Sequence, residues 1–76
     1  MFDNDPTMNI RTPAGQKVRY AFPENGYPYQ QDVASAHLQV GGVYTVERTE
    51  IDSWTTDVYL KEFPDVRFNS VLFENL

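Results

Sequence analysis

Acid–base or metal chemistry in this chain would fall to His37, its only histidine, and to the carboxylates of Glu47, Glu50, Asp52 and Asp57. A zinc centre takes three or four nitrogen, sulfur or carboxylate ligands. His37 has no carboxylate or cysteine beside it in its own segment, and the 76-residue chain contains no cysteine. A calcium loop spaces its acids around a glycine, and no such spacing occurs between Glu47 and Asp57. No nucleophile–base pair and no glycine-rich phosphate loop accompanies these groups. The expectation is therefore no catalytic residue, no metal site and no cofactor: the chain reads as not an enzyme. His37 is read as a structural or surface residue near a helix end, where a cation suits the helix dipole. Cross-strand pairing with Arg48 and Lys61 accounts for part of the acidic group. Glu50 and Asp52 remain as binding candidates on an acidic face, with nucleic-acid mimicry as one version of that reading.

Recognition chemistry is better represented. Trp54 stands between Ser53 and Thr55, in a turn, as an interface anchor or as a lid over one end of the fold. Tryptophan and tyrosine are enriched where interfaces hold most of their energy. The stretch FPENGYPYQQ, residues 22–31, adds Tyr27 and Tyr29 between prolines and a glycine. Tyr29 is expected on the buried side of a helix and Tyr27 on an exposed approach to it. Tyr27, Trp54, Tyr59 and Phe63 are then the candidate aromatic patch.

These residues need elements to hold them. KVRYAF, residues 17–22, alternates with Val18, Tyr20 and Phe22 on one face, the mark of a half-buried strand; Pro23 stops it. Residues 28–38 change period. Pro28 suits a first helical turn, and Tyr29, Val33, Ala36 and His37 fall near one face of a short helix that ends before Gly41–Gly42. Residues 43–51 are rich in β-branched side chains, but their alternation slips, and a bulge near Glu47–Arg48 would turn Tyr44 and Val46 inward together with Thr49 and Ile51. Residues 55–63 alternate again, with Val58 and Leu60 on one face and Tyr59, Lys61 and Phe63 on the other. Pro64–Asp65 reads as the next turn. Val66 and Phe68 form a brief strand, Asn69 or Ser70 caps one helical turn, and Val71 and Phe73 return to the core.

Residues 1–16 carry Pro6, Pro13 and Gly15 and few large apolar groups. They read as a flexible arm, with residues 17–76 as a single small domain. The fold expected is mainly β: a small, partly open barrel of the Src-homology-3-like kind, with one short helix in the long connection after the first strand. Strands this short would expose a hydrophobic face if left flat, and curling hides it.

Net charge is −5, from eleven acids against six bases. Phosphate backbones repel such a surface unless the bases cluster, so nucleic acid is a disfavoured partner. No apolar run approaches the length of a membrane span. The N-terminus lacks the basic start and apolar core of a signal peptide. With no cysteine, a reducing bacterial cytoplasm is the expected compartment.

LQVGGVYTVERTEIDSW, TDVYLKEFP and RFNSVLFE resemble a group of short phage, prophage and bacterial proteins. The shared positions are Leu38, Val40, Gly41, Tyr44, Val46, Phe68, Asn69, Ser70, Phe73 and Glu74. The resemblance covers about residues 17–74. It implies the small barrel and a mobile-element setting, and no particular activity.

The expected function is a non-enzymatic, phage-type protein-binding module that docks on and occludes a host protein or a defence complex. The alternative is a nucleic-acid-associated barrel using Lys17, Arg19, Arg48 and Arg67 as a basic stripe. Self-association into a homodimer through exposed strand edges is a further reading.

Overall fold

The computed structural model describes residues 7–76. The elements are β1 (Lys17–Tyr20), α1 (Pro28–His37), β2 (Val43–Ile51), β3 (Thr56–Leu60), β4 (Phe63–Asn69), a 3₁₀ turn (Ser70–Leu72) and β5 (Phe73–Asn75). The strands form one antiparallel sheet in the order β4-β3-β2-β1-β5, with the helix after the first strand. The domain is therefore mainly β and its sheet is open, with β4 and β5 as the edges.

β2 holds the two halves together. Val43–Thr45 pair with β1, and Val46–Ile51 pair with β3. Between Val46↔Leu60 and Arg48↔Tyr59 the register shifts, so Glu47 is the extra residue of a bulge at the expected place. The bulge lets Val46 and Thr49 face the same side despite their odd spacing, because Thr49 lies opposite the core residue Val58. Ile51 faces that side too, opposite Thr56, but lies past the end of the core and is half exposed.

Val18, Tyr20, Val46, Val58, Leu60, Phe68, Leu72 and Phe73 are the largest fully buried side chains. Phe73 joins two parts of this core: its ring centroid is 6.1 Å from that of Phe68 at 85°, and 6.1 Å from that of Tyr20. Edge-to-face geometry sets the positive rim of one ring on the negative face of another. Asn69 caps the 3₁₀ turn, its Oδ1 accepting from the Val71 N–H at 3.2 Å. Leu72 takes the fully buried place expected of Val71, which is only half-buried.

Four expectations are corrected. Pro64–Asp65 is not a turn: the chain reverses at Lys61–Glu62, and β4 runs through both residues. Proline survives there because β4 is an edge strand, where a missing N–H leaves no ladder partner unpaired. The helix buries Ala34 and Leu38, with Val33 packed beside them, while Tyr29 and Ala36 face out. Its apolar stripe is thus rotated by about one residue from the expected one. β1 ends at Tyr20, and the N–H groups of Ala21 and Phe22 both turn to the Leu72 carbonyl. Finally, residues 7–16 of the arm are placed against the sheet. Met8 is buried in the core and its N–H donates to the Phe73 carbonyl at 2.7 Å. The Asn75 side chain accepts from the Asn9 N–H and donates to Thr12 Oγ1. Farther along, the Gly15 N–H donates to the Val46 carbonyl and the Val46 N–H to that of Gln16, which extends the β1–β2 ladder. Residues 1–6 of the expected arm lie outside the described residues.

Beyond the end of β3, the Glu62 carboxylate accepts from the Thr45 N–H at 2.9 and 3.1 Å, satisfying a backbone donor. Burial pushes the Glu62 carboxyl up, but the N–H groups of Thr45 and of its own backbone, with Lys17 nearby, hold it below the usual carboxylate range. A depressed acid stabilises the fold above its unfolded value, and the contribution fades as pH falls through the folded value. Glu62→Gln is expected to lower the urea midpoint at neutral pH and to flatten its decline in acid. Parallel acid limbs in variant and parent would show that the carboxylate contributes nothing.

Candidate functional site

The helix approaches the sheet through a set of amide contacts. Gln30 Oε1 accepts from the Tyr27 N–H at 2.8 Å, filling one of the donors a helix start leaves unpaired, and from Asn69 Nδ2 at 2.9 Å. Gly26, at φ +81°, makes this possible: a Cβ there would lie 2.8 Å from Gln30 Oε1. Gln31 Nε2 donates to the Glu24 carbonyl at 2.7 Å and holds the approach turn. The start of α1 is thereby tied to the end of β4 and brought beside the β2–β3 turn.

Two adjoining concavities result. One, of about 160 Å³, lies between Tyr29 and Val33 of the helix and Asp52, Asp57 and Arg67 of the sheet. The other, of about 230 Å³, lies between Ile10 of the arm and Ile51, Trp54 and Val71. Asp52, Thr55 and Asn69 line both, so the two adjoin across these three residues and together make a groove. Trp54 is 92% exposed on its rim. It is therefore no lid over the core. Around the groove Ile10, Ile51 and Tyr29 are also exposed.

The four aromatic candidates do not form one patch. Tyr27 is exposed and stacks in parallel on Tyr29, centroids 6.1 Å apart. Tyr29, expected to be buried, is 66% exposed, because the helix stripe turns away from it. Tyr59 is buried at 8% exposure. It points to the outer face of β3, but the Arg48 guanidinium lies 3.9 Å over its ring and Arg67 Nε is 3.3 Å from its hydroxyl. Phe63 is half-buried and packs on His37 and Tyr44. It also lies at the opposite end of β3 from Trp54, a separation of roughly 15 Å for five extended residues. The groove residues Ile10, Ile51 and Tyr29 escape sequence reasoning; Tyr29 would be found by centring the helix stripe on Ala34 and Leu38.

Glu50 and Asp57 lie directly opposite each other on β2 and β3. Glu50 pairs with Arg48 at 3.0 Å, and Arg48 also approaches Glu47 at 3.7 Å. Arg67 Nε is 3.6 Å from Asp57. Burial pushes the Asp57 carboxyl up, Arg67 pulls it down, and the charges of Glu50 and Asp52 push it up again; it ends above the usual carboxylate range. Asp52 makes no ion pair among the described residues, and its Oδ1 accepts from the Ser53 N–H at 2.7 Å.

The cations of the basic stripe are engaged separately. Lys17 bonds Thr45 Oγ1, Arg19 pairs with Glu74, and Arg48 and Arg67 pair as above. His37 Nδ1 is 2.9 Å from the Val33 carbonyl, so it carries the hydrogen, and the ring meets Phe63 edge-on at 5.4 Å. Among the described residues no group of three or more histidines and carboxylates is placed to hold a metal ion. No described helix is long and apolar enough to cross a membrane.

The model of the family described as Bacteriophage T4 protein Y07B matches residues 17–76, from the first residue of β1 to the last residue of the chain. The chain belongs to that family. No curated protein and no solved structure matches it.

Proposed function

We propose that this member of the bacteriophage T4 protein Y07B family is a non-enzymatic protein-binding module that docks on a host protein in the bacterial cytoplasm. It acts by occlusion, and a defence complex is one class of target. The observation that carries this reading is Trp54, 92% exposed on the rim of a groove beside Ile10, Ile51 and Tyr29. A bare indole on a turn contributes nothing to the core, while a partner that covers it gains a large apolar area. The strand order, the bent second strand and the 3₁₀ turn before the last strand support a Src-homology-3-like reading of the sheet. Strand-to-strand self-association is opposed at both edges. β4 carries Pro64, Asp65 and Arg67, and residues 8 and 9 bond to β5.

The test uses tagged protein to capture a partner from a bacterial lysate, followed by titration of the purified partner. Trp54→Ala is expected to weaken that affinity by about 30-fold or more, as for an interface hot spot, and to leave the thermal midpoint unchanged. Equal affinity of parent and variant would overturn the proposal.

A further inference from the structure

We infer that the segment seated in the groove is a stretch of the partner protein that presents an arginine to Trp54 and Asp52. This inference rests on the docking reading above and specifies its chemistry. Three observations lead to it.

The first is the charge of the groove. Asp52 and Asp57 line it with Arg67, and Arg67 is already committed to Asp57 and to the Tyr59 hydroxyl. Glu50, across the strand from Asp57, adds negative field from the outer face. Lys17 is engaged at Thr45 and Glu62, far along β2 from the groove at Ile51. A cationic occupant is favoured over an anionic or neutral one.

The second is the pairing of rings with carboxylate. Asp52 has no ion pair among the described residues, lies two residues from Trp54, and lines the groove that Tyr29 borders. A guanidinium joins these chemistries: its face stacks on an aromatic ring while its edge donates to a carboxylate. A lysine ammonium satisfies the charge but lacks the flat face.

The third is that the chain already makes this arrangement internally. Arg48 lies 3.9 Å over the Tyr59 ring and pairs with Glu50 at 3.0 Å and Glu47 at 3.7 Å. There the ring is covered and the carboxylates are matched. At the groove the indole is open to a partner, and the Asp52 carboxylate, whose Oδ1 accepts from the Ser53 N–H, has no cation paired to it among the described residues.

The probe is blocked hexa-arginine peptide titrated into the intact labelled protein, with hexalysine and hexaglutamate as comparisons, followed by backbone and indole nuclear magnetic resonance. Hexa-arginine is expected to shift the amides of residues 52–55 and the Trp54 indole. Hexalysine should bind more weakly at that place, because an ammonium lacks the planar face that stacks on the indole, and hexaglutamate should leave it unmoved. Asp52→Asn should weaken hexa-arginine binding there. Shifts of equal size at Glu62, past the opposite end of β3, or equal binding of hexa-arginine and hexalysine, would overturn the inference. The partner assay separates it from its parent reading. Loss of partner affinity in Trp54→Ala with none in Asp52→Asn would reject the arginine and leave docking standing. Loss in neither would reject both.

Discussion

Phe73→Ala is expected to unfold the domain at room temperature. Phe73 has no exposed surface and meets Phe68 and Tyr20, so its ring ties the last strand to β4 and β1. Removing a buried phenylalanine side chain costs about 3–5 kcal/mol. A single core of this size supplies no more than about 3–5 kcal/mol in total. The two quantities are of the same size, so most molecules lose the fold instead of retaining a cavity. Amide spectra should collapse to the narrow dispersion of an unfolded chain. Phe73→Leu, which keeps most of the volume, should stay folded with a lower midpoint. A well-dispersed Phe73→Ala spectrum would show that the sheet closes over the lost ring, and that the core is less dependent on β5 than its packing indicates.

The second large effect is expected at Met8. Its side chain is 3% exposed among the core residues, and its N–H is bonded to Phe73. Met8→Ala should cost about 2 kcal/mol, the low end for a buried methionine. The low end applies because the arm has a way out that a central strand lacks: once its docking energy is used up, it detaches and further loss stops. For a domain of this size that is a fall in thermal midpoint of roughly 8–16 °C. Ile10→Ala, at a residue 40% exposed, should move the midpoint little. Hydrogen exchange separates the two ways of losing stability. Detachment accelerates the Met8 and Asn9 amides in the variant while the Val46 amide, bonded to the Gln16 carbonyl, remains slow. Identical midpoints for Met8→Ala and the parent would mean that the arm adds no stability.

The groove combines features with different origins. Trp54 and Asp52 are placed by a turn between two strands, and Tyr29 by the first turn of a helix. The Asn69–Gln30 hydrogen bond, the Asn25 amide on the Val71 carbonyl and the packing of Ala34 and Leu38 bring those two places together. Asn69 also caps the following 3₁₀ turn and is buried at 5% exposure, so one side chain serves both the helix dock and the return of the chain to the core. Asp57 stands in the same groove as a partly buried carboxylate with a raised titration range. Its ionised form is destabilising at neutral pH relative to the unfolded chain, by the sign of that shift.

Local patterns in the chain determined the element types. Val18 and Tyr20, then Val58 and Leu60, alternate because every second side chain of a strand meets the core. The broken alternation of residues 43–51 located the bulge, since a half-buried strand that changes face must gain a residue. Pro28 and Gly41 bracket the helix through the backbone angles they allow or forbid. Composition likewise removed disulfide and thiolate chemistry from consideration.

Tertiary structure alone decided which of these side chains are available. Pro64 reads locally as a turn, and only the edge position of β4 explains how a strand passes through it. Tyr59 alternates outward as a surface residue should, yet Arg48 and Arg67 from elsewhere in the chain close over it. Met8 lies in a segment with no periodicity, and its burial depends on the Phe73 carbonyl far along the sequence. The helical spacing places Tyr29 and Ala36 on a buried face, but a helix this short carries too few apolar residues to fix its own rotation. The sheet chose Ala34 and Leu38 instead, and by doing so left Tyr29 exposed beside Asp52 and Asp57. Periodicity records which residues can share a face; contact with a distant strand decides which face is covered.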